Sequence, residues 1–395
     1  MLSSLALIFL VGLFFAAICK IIHLPQIVGM IVAGILLGPY AMDLLDPSIL
    51  GISSELRQMA LIIILLKAGL SLNLSDLKMV GRPALLMSFV PACFEIFGYL
   101  IFAPLLLNIS YIEAAVMGSV LGAVSPAVVV PRMLHLIEKK CGTEKGIPQL
   151  IMAGASCDDI FAIVLFTTFV GMAQGGKANV LDFVNIPISI LFGVSVGALS
   201  GLLLALFFER AYVCGHLIRN SLKVIIVLGV SFLLIAIEEL IKQWVAFSGL
   251  LAVVGMACVL NIKSIDLVTK RLSEKLGKLW LAAEVILFVL VGAAVDIRYT
   301  PGAGIVAVEL IFIALLFRAV GVLLCLIGTP LAFKERLFCI IAYLPKATVQ
   351  AAIGSVPLAM GLPCGSIVLS IAVTGILITA PRGALGIDFS YKKLL

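Results

Sequence analysis

Gly154-Ala155-Ser156-Cys157-Asp158-Asp159-Ile160-Phe161-Ala162 sets two adjacent carboxylates near the middle of an otherwise apolar run over 146–171. At the centre of a membrane helix one aspartate costs roughly 2.5–3.5 kcal/mol on insertion scales, so two side by side require partners. In a soluble protein such a pair is commonly a solvated turn. Here it is flanked by Gln149-Leu150-Ile151-Met152 and Ala162-Ile163-Val164-Leu165-Phe166, and lipid has no water to solvate it. The rest of the chain therefore reads as the apparatus that supplies countercharges, backbone oxygens and a water path from either side.

The whole composition fits a membrane setting. The 395 residues are 63% hydrophobic and 12% charged, with a mean hydropathy of +1.27, which describes a polytopic membrane protein without a sizeable soluble domain. The first apolar run, 2–19, has no preceding positive residue and no small-residue cleavage pattern, so it reads as a retained span. The net charge of +6 comes from loops and does not point to nucleic acid. Nine scattered cysteines without a CxxC pair read as buried thiols, with neither a disulfide framework nor a zinc site. The three histidines, His23, His135 and His216, fall in connecting segments, which excludes them as the central proton carrier.

Hydropathy and length predict an all-α chain of thirteen spans, at 3–19, 24–40, 56–72, 83–107, 112–131, 147–172, 185–208, 222–241, 245–261, 279–296, 304–328, 337–360 and 363–381. With the N-terminus outside and the C-terminus cytoplasmic, 20 of the 27 Lys and Arg fall in cytoplasmic segments. Four, Arg57, Lys177, Lys242 and Arg298, fall opposite, and Lys67, Arg318 and Lys346 fall within spans. That bias supports an odd number of spans, because an even count would scramble it.

Two stretches resemble each other across the halves. Leu65-Leu66-Lys67-Ala68-Gly69-Leu70-Ser71-Leu72-Asn73 aligns with Phe288-Val289-Leu290-Val291-Gly292-Ala293-Ala294-Val295-Asp296, and the same offset sets Glu95 opposite Arg318. Ser125-Pro126 and Leu344-Pro345 interrupt spans at nearly matching positions. The division that follows is a first inverted repeat over 1–174, a connecting span over 175–221 and a second repeat over 222–395, an arrangement of secondary transporters.

Five ionisable residues are read as deep in spans: Glu95, Asp158, Asp159, Arg318 and Lys346. Glu95 and Arg318 are expected to form a buried pair that braces two helices, with gating as the alternative. Asp158 and Asp159 diverge by about 100° around a helix, so one meets a protein cation and the other faces the pathway. Lys346, directly after Pro345, is the expected partner of Asp158. Pro345 and Pro126 free the carbonyls of Ile341 and Gly122, and bare backbone in a membrane survives only where it lines a cavity or is covered by protein. Ser125 and Thr348, beside the breaks, are candidate oxygen ligands.

Val124-Ser125-Pro126-Ala127-Val128-Val129-Val130-Pro131, the aspartate pair and Leu344-Pro345-Lys346-Ala347-Thr348-Val349-Gln350-Ala351-Ala352 together resemble the sodium/proton antiporters of the cation/proton antiporter superfamily. The closest likeness is to the sodium/hydrogen exchanger B subfamily and its bacterial relatives, over essentially the whole chain. The resemblance implies two inverted repeats with crossed discontinuous helices, a homodimer domain and a core domain moving as an elevator in the lipid bilayer. It also implies Asp159 as the principal Na⁺, Li⁺ and proton site, Asp158 as its neighbour paired with Lys346, and Glu95 linked to Arg318. No cofactor, catalytic residue or nucleic acid is implied. The long terminal extensions of animal members are not seen in this sequence, which points to a bacterial inner-membrane or minimal form.

A carboxylate holds a small alkali ion or a proton, not both, and exchange follows from that exclusive occupancy. Family members with two aspartates are often electrogenic, whereas an Asp158 held ionised leaves one titrating site and electroneutral exchange; the sequence leaves both open. The rival reading is a K⁺/H⁺ exchanger or K⁺ efflux protein of the same superfamily. An intramembrane aspartyl protease needs its two acids on different helices, and Asp158 and Asp159 share one.

Overall fold

The computed structural model describes residues 1–22, 24–71, 81–174, 180–213, 218–241, 247–264, 266–295 and 300–395. His23, Leu72, Asn73, Lys78, Lys177, His216, Lys242, Asp296 and Arg298 lie outside the described residues, so the expectations resting on them have no structural counterpart here.

Among the described residues all regular structure is helical, the solution that satisfies every backbone group within one segment. In order the helices are α1 (Leu2–Ile21), α2 (Gln26–Leu37), α3 (Pro47–Gly51), α4 (Ser53–Ser71), α5 (Arg82–Met87), α6 (Val90–Leu107), α7 (Tyr111–Leu121), α8 (Pro126–Glu138) and α9 (Ile147–Gln174). There follow α10 (Val180–Val213), α11 (Asn220–Ile241), α12 (Gly249–Lys263), α13 (Asp266–Ala293), α14 (Thr300–Cys325), α15 (Phe333–Ala342), α16 (Thr348–Gly354), α17 (Val356–Ala359) and α18 (Gly365–Leu394). Nine stretches of the described residues are long and apolar enough to cross a membrane, and α2, α12 and Thr348–Ala359 are shorter apolar helices.

Local chemistry sets the boundaries. Asn108 takes a left-handed conformation at φ 58° and ends α6, since a short polar side chain tolerates that region. Two residues later Ser110 starts α7 with a capping box: its hydroxyl accepts the Glu113 N–H, and the Glu113 carboxylate accepts the Ser110 N–H. Pro126 occupies the first turn of α8, where a missing N–H costs nothing.

The chain forms two compact units. One comprises 1–57, 73–174 and 285–395; the other comprises 58–72 and 175–284. In the first, Gly34 lets α2 lie against the last turns of α13: a Cβ there would sit 2.0 Å from the Val289 carbonyl oxygen. In the second, Gly197 gives α10 the same close approach to α12, 2.2 Å from the Ala252 carbonyl oxygen. Small residues draw membrane helices together in this way because lipid supplies no hydrophobic drive between them.

Several expectations are corrected. The span expected at 83–107 is found as Arg82–Leu107, but its helix is interrupted within it, since α5 stops at Met87 and α6 starts at Val90. Pro91 has no N–H to offer the preceding turn, and the Ser88 hydroxyl turns back to the Ala84 carbonyl at 2.9 Å. The last span does not end near 381. It runs on to Leu394 because its buried stripe continues through Ala384 and Ile387, and Leu394 and Leu395 pack on a cluster containing Leu136 and Ile147. Arg382, Lys392 and Lys393 therefore lie on α18, and Arg132 and His135 on α8, rather than in loops. Arg57 is buried within α4, its guanidinium turned to the Leu290 carbonyl, and Cys93 is exposed on the surface of α6 rather than buried.

Candidate functional site

The sequence stops α7 and α15 halfway. Between α7 and α8 the backbone is unwound over 122–125, and between α15 and α16 over 343–347. The two unwound stretches cross: the Ser125 N–H donates to the Pro345 carbonyl at 2.8 Å. The crossing leaves two helices ending in carbonyls that no residue of their own helix can satisfy. Buried cations take them.

Arg318, on α14, and Lys346, in the second break, are both fully buried. The Arg318 Nε–H donates to the Tyr343 carbonyl at 2.6 Å, and Nη1 donates to the Gly122 carbonyl. Lys346 Nζ donates to the Leu121 carbonyl and, at 3.4 Å, to that of Ala123. Gln350 completes the set: its Nε2 donates to the Ala123 carbonyl at 2.7 Å, and its Oε1 accepts the Ala347 N–H at 2.8 Å. The Lys346 N–H, released by the break, donates to Thr379 Oγ1 of α18 at 3.0 Å.

The carboxylates close the network. Glu95 Oε2 accepts from Arg318 Nη1 and from Lys346 Nζ, each at 2.8 Å. Asp158 Oδ2 accepts from Arg318 Nη2 at 2.7 Å and from the Val124 N–H at 2.8 Å. The expected Glu95–Arg318 pair is thus present. The expected Asp158–Lys346 pair is not: Lys346 bonds Glu95, and Arg318 takes Asp158. The reason is geometric. A guanidinium carries five donors in a flat fork and can span two carboxylates, while the lysine ammonium is drawn to the stacked carbonyls of the α7 end, on the Glu95 side.

Asp158 and Asp159 diverge as their spacing requires. Asp158 is fully buried in the charge cluster, and Asp159 retains 7% exposure. Four buried oxygens of the acids and Ser125 lack a hydrogen-bond partner: Glu95 Oε1, Asp158 Oδ1, Asp159 Oδ1 and the Ser125 hydroxyl, which does not cap α8. The bond from Val124 to Asp158 ties the Ser125 segment to α9. Carboxylate and hydroxyl oxygens without partners are hard donors suited to a small alkali ion, the cargo rather than a resident cofactor. Pro126 opens α8 and Pro345 supplies the crossing carbonyl. Thr348 is buried beside the break, with no bond to the acids among those described. Sequence reasoning missed Tyr343, Gln350 and Thr379. Gln350 stands three residues past the break, where a capping side chain belongs, but no pattern singled out Thr379 or Tyr343.

The family described as "Sodium/hydrogen exchanger, transmembrane" matches residues 5–387. The chain belongs to the sodium/hydrogen exchanger family. It is similar to human sodium/hydrogen exchanger 9B2, at 35% identity over 94% of this chain and 70% of that protein, and to human sodium/hydrogen exchanger 9B1, at 33% over 87% and 67%. The fold is shared with the sodium proton antiporter MjNhaP1 from Methanocaldococcus jannaschii, with a TM-score of 0.84 at 22% identity over 100% of this chain and 98% of that one. This member of the exchanger family is a transporter, not an enzyme, and it needs no cofactor.

Proposed function

We propose that the chain exchanges Na⁺ or Li⁺ for H⁺ across a membrane, with the two competing for Asp159. The observation that carries this reading is the contrast between the aspartates. Asp158 is committed through Oδ2 to Arg318 and the Val124 N–H, whereas neighbouring Asp159 has no described ion pair and its Oδ1, like Asp158 Oδ1, is buried without a partner. Asp158 held ionised by a bidentate-capable cation leaves one site to change hands, so the exchange is one cation for one proton and electroneutral. Ser125 contributes an oxygen to the bound ion, and Thr348 stands at the end of the other break, over 343–347. The proposal extends to thirteen spans in two inverted repeats, N-terminus outside, with a core that moves as an elevator in a homodimer. The lysine and arginine bias and the matched offset of Glu95 and Arg318 support that extension.

In everted vesicles or proteoliposomes, Na⁺ added to a proton-loaded lumen is expected to relieve the pH gradient with wild-type protein and to leave it untouched with Asp159→Asn. Normal dequenching by the variant would sink the assignment. A response to K⁺ without one to Na⁺ or Li⁺ would support the K⁺/H⁺ reading instead, and a voltage-dependent rate would replace electroneutral exchange with electrogenic exchange.

A further inference from the structure

Arg318 serves both carboxylates only if its plane is fixed, and one residue touches it from two directions. Tyr343 offers its carbonyl to Arg318 Nε, and its ring lies under the guanidinium, 5.3 Å from Cζ to the ring centre. The far end of the same side chain is anchored as well. Its hydroxyl donates to the Met87 carbonyl at 3.1 Å, in the last turn of α5 at the unexpected break before α6. That carbonyl is otherwise an unpaired helix-end acceptor. The slot for the ring is cut by Gly154, one turn before Asp158 on α9: a Cβ there would sit 2.3 Å from the Tyr343 hydroxyl oxygen. The ring is fully buried, so it has no room to swing aside.

We propose that Tyr343 is a positioning residue for exchange: it holds Arg318 in register with Asp158, and its hydroxyl ties that register to the break between α5 and α6. This deepens the reading of the Asp158 and Asp159 site and rests on it. A guanidinium released from its ring and slot shares itself unevenly between Glu95 and Asp158. The acid pair then carries more uncompensated negative charge, and occupancy by protons is favoured over a wider pH range. Besides Arg318, the titratable or charged groups around Asp158 and Asp159 are Glu95, Lys346 and the thiols of Cys93, Cys157 and Cys325. The change is read through the carboxylates, which bond Arg318 directly.

The test is Na⁺-driven exchange in proteoliposomes, recorded from pH 6 to 9 for wild type, Tyr343→Leu, Tyr343→Phe, Gly154→Ala and the double variant Gly154→Ala with Tyr343→Phe. Wild-type exchange is the control for the underlying reading; its failure would be a failure of the proposed function, not of Tyr343. Tyr343→Leu removes the ring face and is expected to move the pH of half-maximal exchange upward by about half a unit or more, since a desolvated cation over a ring is worth that much. Gly154→Ala is expected to do the same by driving the ring out of its slot. Tyr343→Phe keeps the ring face but loses the tie to Met87, so it is expected to shift the midpoint less than Tyr343→Leu, and the double variant is expected to fall back from the Gly154→Ala shift to that smaller one, because the clashing hydroxyl is gone. A merely structural tyrosine would alter melting and the maximal rate without moving the pH midpoint. The proposal is overturned if Tyr343→Leu and Gly154→Ala both keep the wild-type midpoint, or if the double variant shows the same shift as Gly154→Ala alone. Should Tyr343→Leu not fold, the glycine pair decides by itself.

Discussion

Lys346→Met and Glu95→Gln, made singly and together, test the pairing that separates the structure from the sequence expectation. Lys346 Nζ and Glu95 Oε2 are 2.8 Å apart with neither side chain exposed. Removing one partner of a buried pair leaves the other uncompensated and costs about 3–5 kcal/mol. Each single variant is expected to lose that much. If the residues were independent, the double variant would lose the sum. It is expected instead to fall short of the sum by about 1.5–3 kcal/mol, the net worth of a hydrogen bond between charged groups. The loss of the Arg318 bond to Glu95 occurs with and without Lys346, so it cancels from the cycle. Unfolding free energies in mixed micelles, with the folded fraction followed by tryptophan fluorescence or circular dichroism, provide the four corners. A parallel cycle of Asp158→Asn with Lys346→Met is expected to give a smaller coupling. A coupling to Asp158 that equals or exceeds the coupling to Glu95 would refute the pairing and restore the partner expected from sequence.

Other consequences follow from single contacts. Gly34→Ala forces a methyl to within 2.0 Å of the Val289 carbonyl oxygen. Backbone must shift, so a loss of about 1–3 kcal/mol is expected, and an unchanged melting temperature would contradict the close packing of α2 on α13. Ser110→Ala removes the cap of α7 and is expected to cost about 1 kcal/mol while leaving the pH profile of exchange unchanged, which unfolding and transport measured together would check. Arg132 and Asp388 are 3.2 Å apart at 22% and 48% exposure. Asp388→Asn is expected to cost less than about 1 kcal/mol, since solvent screens such a pair; a loss of several kcal/mol in unfolding would show that the contact is not a surface one.

Much of the site was legible in the chain because lipid punishes unexplained charge. Glu95, Asp158, Asp159, Arg318 and Lys346 stand out against apolar neighbours, and Pro126 and Pro345 mark breaks through the loss of an N–H. The Glu95–Arg318 contact followed from the matched offset. The break between α5 and α6 was not legible, since Pro91 sits near a span start, where proline is ordinary. Nor was the continuation of α18 past Pro381, because the residues that hold it, Ile387 and Leu395, gain meaning only from the cluster they join. Cys93 misled because an apolar neighbourhood in sequence does not say which face of α6 turns outward.

The sequence by itself determined a membrane chain, its helical class, the identity of the acids and the two places where helices stop. Each of these depends on what one segment can satisfy within itself in a solvent that offers no hydrogen bonds. Which cation serves which carboxylate was decided only by tertiary structure. Arg318 and Lys346 have the same charge and lie equally deep, and the choice between Asp158 and Glu95 is made by the direction of orphaned carbonyls at Leu121, Gly122 and Tyr343. Those directions exist only after the broken helices have crossed.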